Sequence, residues 1–166
     1  MKTELQFDFT VDNEHNTITV KREFAAGRAL VWDCHTKSEL LDRWFAPKPL
    51  MTKTKSMDFR EGGHWLYAMI TDEGQEFWSR LDYQTIDPID SYSALDGFCD
   101  ATGAVNPAMP RSRWNVTFAD MGAHTMVNTV VAYGSPEALQ QVIAMGLEGG
   151  MKSTLERLDE LLLKIA

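Results

Sequence analysis

The sequence is poor in cysteine, in clustered positive charge and in long apolar runs, and each lack removes a class of protein. Its two cysteines, Cys34 and Cys99, stand far apart with no paired spacing. They read as reduced thiols of the cytosol, not as a disulfide framework. Sixteen Lys and Arg face 24 Asp and Glu, for a formal charge of −8 over 166 residues. An acidic surface repels phosphate, and the one basic concentration, Lys48, Lys53, Lys55 and Arg60, is small. Neither nucleic acid nor an anionic membrane is therefore expected as a partner. No run of about 18 apolar residues offers a spanning helix. The start, MKTELQFDFTVD, is alternating and acidic, which argues against a secretory signal and for a cytoplasmic protein.

The usual marks of catalysis are also missing. His15, His35, His64 and His124 show no metal-ligand spacing, and Gly62-Gly63 falls in a hairpin pattern instead of before a helix, where a phosphate loop would need it. There is no nucleophile elbow and no paired-carboxylate signature. Cys34 adjoins His35, but neighbours on a helix point in different directions, so the pair is a poor nucleophile and base. No catalytic residue, metal or cofactor is expected.

What is present is alternation, followed by one long amphipathic stretch. Leu5, Phe7, Phe9 and Val11 alternate with polar residues, and Ile18, Val20 and Phe24 continue the pattern after the turn formers Asp12 to Asn16. Period two of this kind marks a half-buried hairpin. Arg28 to Thr36 and Ser38 to Phe45 read as short helices, the second capped by Ser38 and ended by Pro47 and Pro49. About five strands joined by tight turns follow, from residue 51 to Tyr133, the run Ser91 to Cys99 being the least clear. Asp100 to Pro110 is a loop, because Gly103, Pro107 and Pro110 do not suit a central strand. Short hairpin links predict an antiparallel sheet within one α+β domain covering residues 1–166.

Ser135 to Ala166 closes the chain. Ser135 is a good cap, Pro136 suits the first helical position, and Glu137 favours the positive end of the dipole. Leu139, Val142, Ile143, Leu147, Met151, Leu155, Leu158, Leu162 and Ile165 form one apolar stripe at helical spacing. The spacing predicts a single helix on the order of 45 Å long, which only a wide partner can cover. Gly146 and Gly150 notch that stripe at a cost of about 1 kcal/mol each against Ala. Such a cost predicts close approach there, by a sheet tryptophan or by a ligand.

The aromatic residues Trp44, Phe45, Trp65, Tyr67, Trp78, Phe98, Trp114 and Phe118 either fill the space between sheet and helix or, with Val142, Gly146 and Gly150, line a ligand cavity. Five tryptophans is a high count for this length. His64, Arg80, Asp82, Arg111 and Arg113 lie on or beside strands, and any that faces inward would orient a polar ligand group. Period two does not say which face they occupy.

The wording TVKREFAAGRALVWDCHTKSELLDRWFAP resembles the opening of the family of activators of heat-shock protein 90 ATPase homologues, within the SRPBCC or START-like group. Val31, Trp32, Thr36, Leu40 and Trp44 stand at the positions of its "AP-x-x-x-V-W-x-x-x-T-x-x-x-L-x-x-W" stretch, with Gly27 where a proline is usual. FREGGHWLYAM resembles the family's glycine-pair hairpin, and VTFADMGAHTMVNTVVAY with MGLEGGMKSTLERLDELL resembles its last hairpin and helix. The resemblance implies a helix-grip fold, a curved antiparallel sheet wrapped around a long C-terminal helix. It also implies a small apolar ligand held between sheet and helix. One alternative is a co-chaperone-like module acting on a chaperone ATPase through the Lys48, Lys53, Lys55 and Arg60 patch. Another is a cyclase- or hydrolase-type enzyme, which needs an inward acid or base. A monomer and a homodimer are both compatible with the sequence.

Overall fold

The computed structural model describes residues 5–166; residues 1–4, which carry part of the reading against a leader, lie outside them. Eight strands form one antiparallel sheet. In chain order they are β1 (Phe7–Asp12), β2 (Thr17–Phe24), β3 (Met51–Met57), β4 (His64–Ile70), β5 (Glu76–Asp87), β6 (Ser91–Phe98), β7 (Ser112–Met121) and β8 (His124–Tyr133). Their order across the sheet is β1-β2-β8-β7-β6-β5-β4-β3. Register shifts between Thr54 and Ser56 and between Tyr83 and Thr85 bend the ladder, as bulges do. Six strands follow the helices where about five were expected, and β6 is a full member.

The link from β2 to β3 must cross from one side of the sheet to its far edge, six strand spacings or about 29 Å if the sheet were flat. Residues 25–50 make that crossing and carry α1 (Arg28–Thr36) and α2 (Ser38–Leu41). The expected helix through Phe45 is shorter. Ser38 is its first residue instead of its cap, and Lys37 in the cap position offers no side-chain acceptor. The tight turn before β4 requires glycine at two successive positions. Gly62 has φ +82°, and a Cβ on Gly63 would lie 2.0 Å from the Asp58 carbonyl oxygen.

The C-terminal stretch departs most from expectation. It is two helices, α3 (Pro136–Ala144) and α4 (Leu147–Ile165), broken at Met145-Gly146. Gly146 adopts φ +86°, a left-handed conformation that a continuing α-helix does not contain. Ser135 caps α3 as expected, accepting from the Ala138 N–H at 3.1 Å. The apolar stripe is buried unevenly. Leu139, Leu158 and Leu162 at its two ends are buried, whereas Val142, Leu147, Met151 and Leu155 between them are half-buried. Accordingly the core has two parts. Leu139 packs with Ile18, Val20, Val131 and Tyr133, and Leu158, Leu161 and Leu162 pack with Phe24, Trp44 and the aromatics of β4 to β7. Arg157 ties α4 to the crossover through the Ala46 and Leu50 carbonyls, at 2.8 and 2.7 Å.

Candidate functional site

Alternation builds the site. Every second residue of six strands faces the helices: Val20, Arg22 and Phe24 on β2, then Trp65, Tyr67 and Met69 on β4. Phe77, Ser79 and Leu81 on β5 follow, with Tyr92, Asp96 and Phe98 on β6, Ser112, Trp114 and Val116 on β7, and Val127, Thr129 and Tyr133 on β8. Opposite them lie Leu41, Trp44, Phe45 and the middle of the stripe, from Val142 through Gly146 and Gly150 to Leu155. Between the two sides is a cavity of about 470 Å³, lined by members of both core clusters. It reaches the surface where Met145, 58 % exposed, and Phe77, 48 % exposed, belong to its lining.

The notch at Gly146 and Gly150 is open. No heavy atom lies within 4 Å of a Cβ built on either, so no sheet tryptophan makes the close approach expected there. Of the aromatic candidates, Trp44, Phe45, Trp65, Tyr67, Phe98 and Trp114 line the cavity, as does Val142. Trp65 and Tyr67 stack at 4.0 Å, and Phe45 meets their edges at 5.0 and 5.8 Å. The indole N–H groups are satisfied within the wall: Trp44 donates to the Cys34 carbonyl, Trp65 to Thr54 Oγ1 and Trp114 to Ser112 Oγ, all at 2.9–3.0 Å. Two candidates lie elsewhere. Trp78, between inward Phe77 and Ser79, points to the opposite face, where Lys55 Nζ sits 5.7 Å from its ring. Phe118 faces inward beyond the cavity's end and packs edge-on to Trp32 and His35, each at 5.1 Å.

The five polar candidates do not line the cavity. Arg80 and Asp82 alternate outward with Leu81, and His64 outward with Trp65, its Nε2 2.9 Å from Ser56 Oγ. Arg111 lies over the backbone of Gly97, bonding the Asp96 carbonyl at 2.8 Å and Asp82 at 2.6 Å. Burial alone would raise the Asp82 pKa, but the Arg111 and Arg80 guanidiniums together hold it below the usual range. Arg113 is exposed. The basic patch is dispersed: Lys48 pairs with Glu160, Arg60 with Asp58, and Lys55 donates to the Ala101 carbonyl.

Other polar groups face inward, and sequence reasoning missed them. Arg22, buried on β2, pairs with Asp159 of α4 and lies 4.9 Å over the Phe24 ring. His35 Nδ1 is 2.8 Å from the Val31 carbonyl, so that nitrogen carries the hydrogen and Nε2 is the acceptor. Burial lowers its pKa to about 4 and keeps the ring neutral. Its neighbour Cys34 is fully buried, which pushes the thiol up to about 11 and leaves no thiolate nucleophile. The Asp96 side chain at the end of β6 meets Ser112 of β7, and Ser112 in turn lies opposite Tyr133 of β8. Asp96 Oδ1 accepts from the Ser112 N–H at 2.8 Å and from its hydroxyl at 2.6 Å. Desolvation raises the Asp96 pKa despite both bonds. Among the described residues no three His, Cys, Asp or Glu side chains are grouped to hold a metal, and no helix is long and apolar enough to cross a membrane.

A curved antiparallel sheet closed over by a long C-terminal helix, with two short helices after the N-terminal strands, defines a helix-grip α+β protein of the START-like class. The model of the Activator of Hsp90 ATPase homolog 1-like protein family matches residues 25–163, and the chain belongs to that family. Solved structures agree in fold over nearly the full length. A crystal structure of a Mycobacterium smegmatis protein is 30 % identical, covering 96 % of this chain and 97 % of its own, with a TM-score of 0.86. A solution structure from Staphylococcus epidermidis is 29 % identical with a TM-score of 0.83 and covers 95 % of each chain. Another, from Arthrobacter aurescens, is 25 % identical with a TM-score of 0.89, covering 95 % of this chain and 91 % of its own. No curated protein matches the sequence.

Proposed function

We propose that this protein binds a small apolar ligand in the space between the sheet and the C-terminal helices. The observation that carries the reading is the open glycine notch. The stripe gives up helix stability at Gly150, and no side chain of the protein occupies the room this leaves. A volume of about 470 Å³ walled by aromatic and aliphatic side chains, with a few fixed polar groups, has the size and composition of a small-molecule site. Aromatic side chains whose N–H groups are already bonded in the wall present apolar faces inward, which suits a flat hydrocarbon body.

The test uses N-phenylnaphthylamine, a neutral dye that brightens in apolar surroundings. The wild-type protein should saturate with it, and Gly150→Phe should place a ring in the notch and abolish the signal while melting no lower than wild type. Equal dye binding by both proteins sinks the reading. The family's description supports a second reading, an interaction module acting on a chaperone ATPase. Mixing with such an ATPase would then raise its turnover, and reversing Lys53 and Lys55 to Glu would remove the effect. Unchanged turnover on mixing counts against it.

A further inference from the structure

We infer that the cavity's ligand is an apolar molecule bearing a hydrogen-bond donor, a hydroxyl or an ammonium group, which Asp96 accepts. The inference rests on the cavity-binding reading above. It starts from which inward polar groups are already satisfied. The Arg22 guanidinium is matched by Asp159. The Trp114 indole N–H donates to Ser112 Oγ at 3.0 Å and lies beside the Asp96 carboxyl as well. Asp96 differs. Both Ser112 bonds end on Oδ1, which leaves Oδ2 without them, and no Lys, Arg or His among the described residues forms an ion pair with the carboxyl. The nearest guanidinium, Arg111, binds the Asp96 backbone carbonyl and gives its charge to Asp82 on the sheet's other face.

A carboxyl set among Trp114, Tyr133 and Tyr67, with neutral donors on Ser112 and Trp114 and no ion-pair partner, is under-compensated, because desolvation outweighs those donors and the nearby Arg111 charge. Its raised pKa reflects that deficit. A ligand donor placed on Oδ2 removes it, whereas a ligand carboxylate brings a second negative charge to the same wall. Free fatty acids and other apolar anions are therefore the wrong class for this end of the cavity. Phenols, alcohols and amines with a hydrocarbon body are the right one. Asp96 also occupies a position that periodicity reserves for an apolar residue, after Tyr92 and Ala94 and before Phe98 on the same face.

The experiment is displacement of bound N-phenylnaphthylamine by four matched molecules: biphenyl, phenylphenol, aminomethylbiphenyl and biphenyl carboxylate. The expected order for wild type is one or both donor-bearing molecules about tenfold or more tighter than biphenyl, the advantage a hydrogen bond to a charged acceptor confers, and the carboxylate weaker than biphenyl. The phenol and amine arms separate a neutral from a cationic donor. In Asp96→Asn the donor advantage over biphenyl should fall to less than about threefold. If biphenyl competes as well as both donor-bearing molecules, or the carboxylate competes best, the inference is overturned and the apolar cavity stands. If biphenyl and its derivatives all fail to displace the dye, the cavity reading falls and takes the inference with it. The wild-type series decides the matter even if Asp96→Asn does not fold.

Discussion

Alanine at Gly146 and at Gly150 should shift stability in opposite directions. Gly150 is helical, half-buried and has nothing within 4 Å of its missing Cβ. Alanine there restricts the unfolded chain and clashes with nothing, so α4 should gain about 1 kcal/mol. Gly146 sits at φ +86°, where a Cβ crowds the following carbonyl at a cost of about 1–2 kcal/mol. For a chain of this size each kcal/mol moves the melting temperature by about 2–4 °C. Thermal melts followed by circular dichroism should therefore rise by about 2–4 °C for Gly150→Ala and fall by about 2–8 °C for Gly146→Ala. The pair discriminates because one unbroken helix across residues 136–165 would gain from alanine at both positions. A rise for Gly146→Ala would refute the break between α3 and α4. A fall for Gly150→Ala would refute the open notch, and with it the ground for the ligand reading.

Acid should weaken the protein through His35. Its folded pKa, about 4, lies below its ordinary 6.5, so the unfolded chain takes up the proton first. Stability is then complete above about pH 6.5 and falls as pH drops toward 4, by up to ~3 kcal/mol; urea midpoints should show this slope, and His35→Gln should remove that part of it. The same slope in the variant would show that other groups cause it. Replacing Arg157 by Ala removes its bonds to the Ala46 and Leu50 carbonyls and should cost about 1–3 kcal/mol in urea unfolding, with faster amide exchange in residues 46–50. Unaltered exchange there would mean that Arg157 does not hold the crossover down.

The strands were legible because each apolar alternation is local and repeats, and a one-residue slip would invert a whole face. The inward set of β7 and β8 follows directly from Trp114, Val116, Phe118 and the Val127 to Tyr133 run. The face of an isolated polar residue was legible only from its apolar neighbours. Leu81 between Arg80 and Asp82 fixes both of them outward once β5 is known to have its inner face at odd positions. The same rule separates Phe77 from Trp78, adjacent aromatics of which only one can face the cavity. Size favours Trp78 as a cavity residue, and parity gives the place to Phe77. Asp96 had a signal of its own. An acid at the apolar phase of the SYSALDGF strand made that strand the least clear of the series, and that acid lines the cavity.

The helix break had no signal in periodicity. Val142, Ile143, Leu147 and Met151 keep the helical interval straight across Gly146, because α4 resumes with its apolar side still toward the sheet. Only the glycine marks the change of direction. The break has a consequence for the cavity. At about 24 cal/mol per Å³, a sealed dry void of 470 Å³ would cost on the order of 10 kcal/mol, comparable to the whole stability of a domain. A fold could not carry such a void closed and empty. Here the α3 to α4 junction places Met145 at the surface beside the notch, with Phe77 of β5 also exposed on the lining, so the space communicates with solvent. The cost that remains is that of apolar wall left in contact with water, at roughly 25 cal/mol per Å², which a ligand with a matching apolar surface recovers on entering. The glycines of the stripe thus serve separate ends: Gly150 leaves the room, and Gly146 turns the chain at its door.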